Sequence, residues 1–335
     1  MDDRYSFELH TASSDADATE AVAQYSGLLG KSLAMQTVFR RIEQVAPTNS
    51  TVLITGESGT GKELVARAIH GRSRRNDGPF ITLNCSAMPR ELVEDQLFGH
   101  EKGAFTSADA TRQGMFEAAN DGTLFLDEIG DLAPEAQAKL LRSLEYRQIT
   151  RVGSTHPITV DIRLVAATNT DLESAVTTRE FREDLYYRLK VFTITMPPLR
   201  NRSADVPLLV RHFLNEFARE NGSPAKEISQ EALSVLQSYA WPGNVRELKN
   251  LMESLAIRAN GSSIVALEDL PAGIRLGSSS SGEFSIPVGL SLKQIRCAAI
   301  QRTLEHTEGN RTEAAKILKI GRRTLQRNMK ECGLV

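Results

Sequence analysis

The chain has 335 residues with 40 Lys and Arg against 42 Asp and Glu, a formal net charge of −2, and is 41% hydrophobic and 24% charged. That length supports two or three ordinary domains, and that balance excludes a wholly disordered chain. Only three cysteines occur, Cys85, Cys297 and Cys332, without paired spacing, which argues against a disulfide scaffold or a zinc site and fits a reducing cytosol.

Residues 1–26 form a short acidic tail, six acids against one base, with little apolar periodicity. Its start, MDDRYSFELH, is acidic and polar where a signal peptide is basic and then apolar, and no run of about 18 apolar residues follows, so a cytoplasmic chain with no membrane partner is expected. From 27 to 204 short apolar runs alternate with helical patterns: TVLIT (51–55), FITLNC (80–85), TLFLD (123–127), IRLVAATN (162–169) and FTITM (192–196). Strands separated by helices predict an α/β fold, a parallel sheet covered on both faces. From 205 to 276 the strand signal stops, and VPLLVRHFLNEFA and QEALSVLQSYA predict a small all-helical subdomain. Ser and Gly crowd into GSSSSGEFSIPVG, 277–289, a flexible linker. Residues 290–335 hold ten bases against four acids, a basic module suited to a polyanion; a solvated charged helix is the bland reading.

Directly after the first strand comes GESGTGKE: Gly56, Glu57, Ser58, Gly59, Thr60, Gly61, Lys62 and Glu63. This matches the Gly-x4-Gly-Lys core of the nucleotide-binding P-loop, in which backbone N–H groups and a helix N-terminus cradle phosphates and the lysine supplies a mobile positive charge. A Gly-rich turn would look similar, but the strand before and the helix after favour nucleotide. Glu63 stands where the usual Ser/Thr magnesium ligand is found. TLFLDE adds Asp127 and Glu128 at the end of a second buried strand, the former placed to hold Mg2+, directly or through water, and the latter to polarise an attacking water.

GESGTGKE, LNCSAM, LFGHEKGAFTSA, GTLFLDEI, FREDLYYRL and WPGNVRELKN, in that order, resemble the AAA+ domain of bacterial enhancer-binding proteins, the activators of sigma-54 RNA polymerase. The resemblance covers about 27–276 and implies an AAA+ P-loop NTPase with a helical lid over 205–276. It also implies a ring, commonly a hexamer, that hydrolyses ATP to remodel a closed promoter complex. By that resemblance Asn84 couples Glu128 to the nucleotide state, Asn169 is a polar sensor near the γ-phosphate, and Arg246 is the second sensor on the lid. Arg182 and Arg188 match arginine fingers that enter a neighbouring subunit's site; pairing with Glu180, Glu183 or Asp184 is the plainer reading. Gly103, Ala104, Phe105, Thr106, Ser107 and Ala108 correspond to the GAFTGA loop that grips sigma-54, with Ser107 in place of the second glycine. Serine takes positive φ less readily, so a stiffer or differently tipped loop with weakened engagement is expected.

In the basic module Leu292, Ile295, Ala299, Ile300 and Leu304 mark a first helix, residues 312–319 a second and 322–331 a third, after a turn at Ile320 and Gly321. This resembles the Fis-type helix-turn-helix, an all-α DNA-binding domain, with Arg322, Arg323, Thr324, Gln326, Arg327 and Lys330 facing enhancer DNA and Leu325 and Met329 facing the core. Such modules work as dimers, with 291–306 the expected pairing surface. A three-helix protein-interaction module is the alternative. The six histidines lie scattered without metal-ligand spacing and read as structural or surface residues, and Cys85 reads as buried packing.

The expected function is therefore an ATP- and Mg2+-dependent activator of sigma-54 RNA polymerase that binds enhancer DNA and itself. Many members of that family, relatives of two-component response regulators, carry an N-terminal receiver or sensor of 100 residues or more; only about 26 residues precede this body. Control by abundance or by a separate regulatory protein is expected, although removal of a regulatory domain would leave the same sequence. Two other classes remain: an AAA+ DNA-binding regulator or repressor that does not act on sigma-54, favoured by Ser107, and an AAA+ protein remodeller with a basic tail.

Overall fold

Five strands, β1 (Val52–Thr55), β2 (Phe80–Asn84), β3 (Thr123–Asp127), β4 (Arg163–Thr168) and β5 (Phe192–Thr195), pair in parallel in the order β5-β1-β4-β3-β2. They belong to a computed structural model that describes residues 23–25, 27–87, 89–105, 108–258, 263–275, 292–307 and 310–332. The chain divides into two units, 1–277 and 278–335.

Alternation along each strand assigns the two faces of the sheet. Leu53, Leu124, Leu126, Leu164 and Ala166 point into one core, with helices α3 (Arg90–Phe98), α4 (Pro134–Tyr146), α5 (Leu172–Thr177) and α6 (Glu183–Leu189) over them. Val52, Ile54, Phe125, Val165, Ala167 and Ile194 point into the other, against α1 (Leu33–Val45) and α2 (Lys62–Gly71). Central strands apolar on both faces have no solvent side, so they read in sequence as unbroken apolar runs. Arg163, buried at the foot of β4, donates to the carbonyls of Val45 and Ala46 at the C-terminal end of α1. A cation there complements the helix dipole.

Pro197 and Pro198 end the sheet, and a short 3-10 turn (Leu199–Asp205) leads into the lid helices α7 (Val206–Glu220), α8 (Gln230–Ser238) and α9 (Asn244–Arg258). Ser229 caps α8 by accepting the amide of Ala232. The lid has its own core around Trp241, Leu248, Met252, Phe213 and Leu236. It is not purely helical: Glu227–Ile228 and Ile264–Val265 pair as short parallel strands, which corrects the expectation that strands end before 205. Two residues are too few to show a period.

The second unit contains α10 (Leu292–His306), α11 (Arg311–Ile317) and α12 (Arg322–Glu331), closed over Ile300, Ala314, Ala315, Leu325 and Met329. Ala314 and Ala315 let α11 approach closely, and Asn310 caps it through the amides of Thr312 and Glu313. Cys297 and Cys332, which the sequence shows without paired spacing, are joined by a disulfide that ties α10 to the end of α12. Thirty-five positions separate them, so only the packing of the first helix on the last brings the sulfurs together.

A core this small is marginal alone, and closing a loop of that length is worth about 4 kcal/mol. Reduction is expected to lower the denaturation midpoint of the 290–335 module while the body is unaffected. Thiol titration of the unreduced, denatured chain is expected to find Cys85 alone reactive; three titratable thiols would contradict it.

Candidate functional site

The loop between β1 and α2 closes only because its glycines take positive φ, +76° at Gly59 and +102° at Gly61. A side chain at Gly59 is excluded twice over, since a Cβ there would lie 2.3 Å from the carbonyl oxygen of Gly243. α2 starts at Lys62, whose ammonium is buried, 6% exposed, and donates to the Gly56 carbonyl at 3.0 Å and to Glu128 Oε1 at 3.1 Å. Glu128 sits just past β3 in a left-handed conformation, φ +52°, which turns its carboxylate back over the sheet edge. Its other oxygen accepts the amide of Asn169 at 2.9 Å, just beyond β4. Parallel strands end on one side, so β1, β3 and β4 deliver Lys62, Asp127, Glu128 and Asn169 to a common edge.

Asp127 is half buried, and burial, then the charge of Glu128, raise its carboxyl above the ordinary value. Its Oδ2 accepts from Asn84 Nδ2 at 3.4 Å, while Oδ1 is buried without a hydrogen-bond partner. An orphaned carboxylate oxygen with a raised affinity for positive charge fits a hard divalent cation. Asn84, expected to act on Glu128, here touches Asp127 and accepts from the Ser86 amide and hydroxyl. Cys85 beside it is buried, and burial, then Asp127, push its thiol up to about 12. It is no nucleophile at neutral pH.

Lys62, Asp127 and Glu128, but not Asn84 or Cys85, line a cavity of about 560 Å³ between sheet and lid, the size of a small-molecule site. Leu28 and Leu29 wall one side and Phe213 and His212 of α7 the other, residues that no motif marks. Arg246 reaches in from α9, its guanidinium donating to Ser58 Oγ at 3.1 Å. Among the described residues Ser58 to Glu63 line the cavity; Gly56, Glu57 and Asn169 do not. Glu57 instead accepts two hydrogen bonds from Arg200 and one from Asn244 Nδ2, and these hold its carboxyl down at about 2. Glu63 pairs with Arg67 one turn along α2.

Arg182 caps the start of α6 and Arg188 lies in its last turn, and neither lines this chain's own cavity. Arg182 pairs with Asp184, as the plainer reading held, and Arg188 donates to the Leu144 carbonyl; both are exposed. Just before residue 103 lies a polar cluster in which Arg151 bridges Glu101 and Glu117 and His100 hydrogen-bonds buried Asp95. Phe105 is 39% exposed and lays its ring edge against His100. Gly103 donates to the Ala108 carbonyl, closing the loop's foot; Thr106 and Ser107 lie outside the described residues. On α12, Arg322, Arg323, Thr324, Gln326, Arg327 and Lys330 are all exposed, while Leu325, Asn328 and Met329 face inward. No described helix is long and apolar enough to cross a membrane.

Three family descriptions match in series: Sigma-54 interaction domain at 28–195, AAA+ ATPase lid domain at 200–285, and bacterial regulatory protein, Fis family, at 291–331. The transcriptional regulatory protein ZraR of Escherichia coli is 48% identical over 94% of this chain and 71% of its own length. The regulatory protein AtoC of the same organism is 48% identical over 93% and 68%. Among solved structures, NtrX from Brucella abortus superposes with a TM-score of 0.70 at 37% identity, over 91% of this chain and 69% of that one. NtrX has also been solved in complex with ADP and with ATP.

The Glu57 carboxylate is depressed, so its pairing stabilises the fold fully above its ordinary value of 4.5 and is lost as pH falls toward about 2. Urea denaturation of Glu57→Gln is expected to show a lower midpoint than the parent at pH 6, with the gap narrowing as pH falls below about 4.5. A gap that does not change with pH would remove the ionic pairing as its cause.

Proposed function

The chain belongs to the family of sigma-54 transcriptional activators, with an AAA+ ATPase domain and a Fis-type helix-turn-helix, and from that premise we propose that it drives open-complex formation by ATP hydrolysis. The single observation that carries the reading is the buried Lys62–Glu128 bridge beside the orphaned oxygen of Asp127.

The triphosphate would lie along the backbone N–H groups of the 58–63 turn, with Lys62 and Arg246 as its cations. A γ-phosphate that engages Lys62 competes with Glu128 for the same ammonium, and the released carboxylate can orient a water and accept its proton as the water oxygen bonds to the γ-phosphorus and the bond from that phosphorus to the bridging oxygen breaks, ADP leaving with the electron pair. Asp127 would hold Mg2+, which when bound draws off charge developing on the phosphoryl oxygens. Exposed Arg182 and Arg188 would supply a further cation to a neighbour's phosphoryl group, so that turnover depends on a ring. The 103–108 loop would then meet sigma-54 through Phe105 and Thr106, and α12 would hold the assembly to enhancer DNA.

Single-round transcription from a sigma-54 promoter tests this. Product is expected with ATP, none with a non-hydrolysable analogue, and none from Lys62→Ala. Glu128→Gln is expected to bind ATP while turnover falls at least a hundredfold. Arg182→Ala is expected to lose turnover yet regain part of it when mixed with Lys62→Ala subunits, whose own arginines are intact. ATP turnover without transcript would instead favour a DNA-binding ATPase that does not act on sigma-54.

A further inference from the structure

We propose that Asn244 is a positioning residue that transmits the state of the phosphate-binding loop to the lid, an inference that rests on reading the cavity as the ATP site. Three segments distant in sequence meet at its side chain. Oδ1 accepts the amide of Leu199, the first residue of the connecting turn, at 2.8 Å. Nδ2 donates to the Ser58 carbonyl at 3.0 Å and to Glu57 Oε2 at 3.1 Å. The residue is fully buried and does not line the cavity, so it acts on nucleotide only through what it holds.

Asparagine suits this junction because one side must accept and the other must donate. Aspartate would set a second carboxylate against Glu57. The residue also takes φ +53°, a conformation that asparagine tolerates better than most side chains. Backbone contacts run in parallel: the amides of Val245 and Arg246 both donate to the Gly59 carbonyl. From the connecting turn, Arg200 grips Glu57 and buried Arg202 donates to the Thr60 carbonyl. Loop 57–60, segment 199–202 and turn 241–246 therefore form one hydrogen-bonded body. Phosphate that moves the loop moves the start of α9 with it, and Arg246 rides on that helix.

The chain's single tryptophan, Trp241, is buried in the same turn, its carbonyl accepting the Asn244 amide. Its emission is a direct readout of the turn. Glycine takes positive φ freely, so Asn244→Gly removes the amide without forcing the backbone.

In the full chain, ADP and a non-hydrolysable ATP analogue are expected to change Trp241 emission. Asn244→Gly is expected to bind both, by calorimetry, within about threefold of the parent while losing the emission change, and its kcat for ATP to fall about tenfold with KM little altered. Arg200→Gln, on the exposed arm of the junction, is expected to lose about threefold in kcat, with Arg200→Lys restoring part. An Asn244→Gly chain that keeps both the emission change and kcat overturns the proposal. So does one that loses affinity in step with thermal stability while Arg200→Gln matches the parent, since that is a merely structural residue. A parent that binds neither nucleotide brings down the reading of the cavity, and this inference with it, a result the variants cannot mimic.

Discussion

An ammonium group buried at the edge of a parallel sheet must be answered by charge, and Lys62 is answered by Glu128. Breaking a buried pair by removing one partner leaves an uncompensated charge, which is far worse than having neither. The requirement fixes much of the rest. β1 must end at the loop that leads into α2, β3 must end one residue before Glu128, and Glu128 must accept a left-handed backbone so that its carboxylate reaches back across the sheet. Asn169 donates its amide to the remaining oxygen, which registers β4 against β3 at the same edge. The carboxylate is thereby held in a place from which one competing anion on Lys62 would release it.

A second constraint lies at the hinge. Asp205, buried at the start of the lid, accepts the amides of Lys31 and Ser32 and the Ser32 hydroxyl, and Arg202 beside it reaches Thr60. Burial draws the Arg202 guanidinium down to about 10, with Asp205 opposing the shift, so the one base is held charged in part by the one acid beside it. The lid is joined to the sheet by more than its covalent tether. Its base is keyed to the phosphate loop and to the N-cap of α1, and the open cavity lies beyond that base, between α7 and the loop.

The five strands were legible because buried parallel strands are continuous apolar runs, and the phosphate loop because its glycines are demanded by backbone geometry. What escaped were contacts whose partners share no local pattern. Glu57 sits inside the loop motif and reads as a nucleotide contact, yet its carboxylate turns to Arg200, 143 positions away. Asn244 had one usable signal, an asparagine after Pro-Gly where positive φ is common, but nothing near it names Glu57 or Leu199. The Cys297–Cys332 bond and the two-residue strand pair in the lid are of the same kind: each exists only once helices have packed. Motif spacing reports backbone requirements well and side-chain destinations poorly.

The exposed arginines show where the balance of magnitudes lies. In the single chain Arg182 pairs with Asp184, a contact between two half-exposed groups on one helix end. Such pairs are among the weakest interactions in a protein, because water solvates both partners and salt screens them. Charge stabilisation on a transferring phosphoryl group by a fixed guanidinium is worth about 10³–10⁵ in rate. If a neighbour's phosphate is within reach, the local pair does not compete. In the proposed ring Asp184 then serves as a parking place that keeps Arg182 extended beside α6, rather than a partner that withholds it, and the cost of delivery falls on assembly instead of on the side chain.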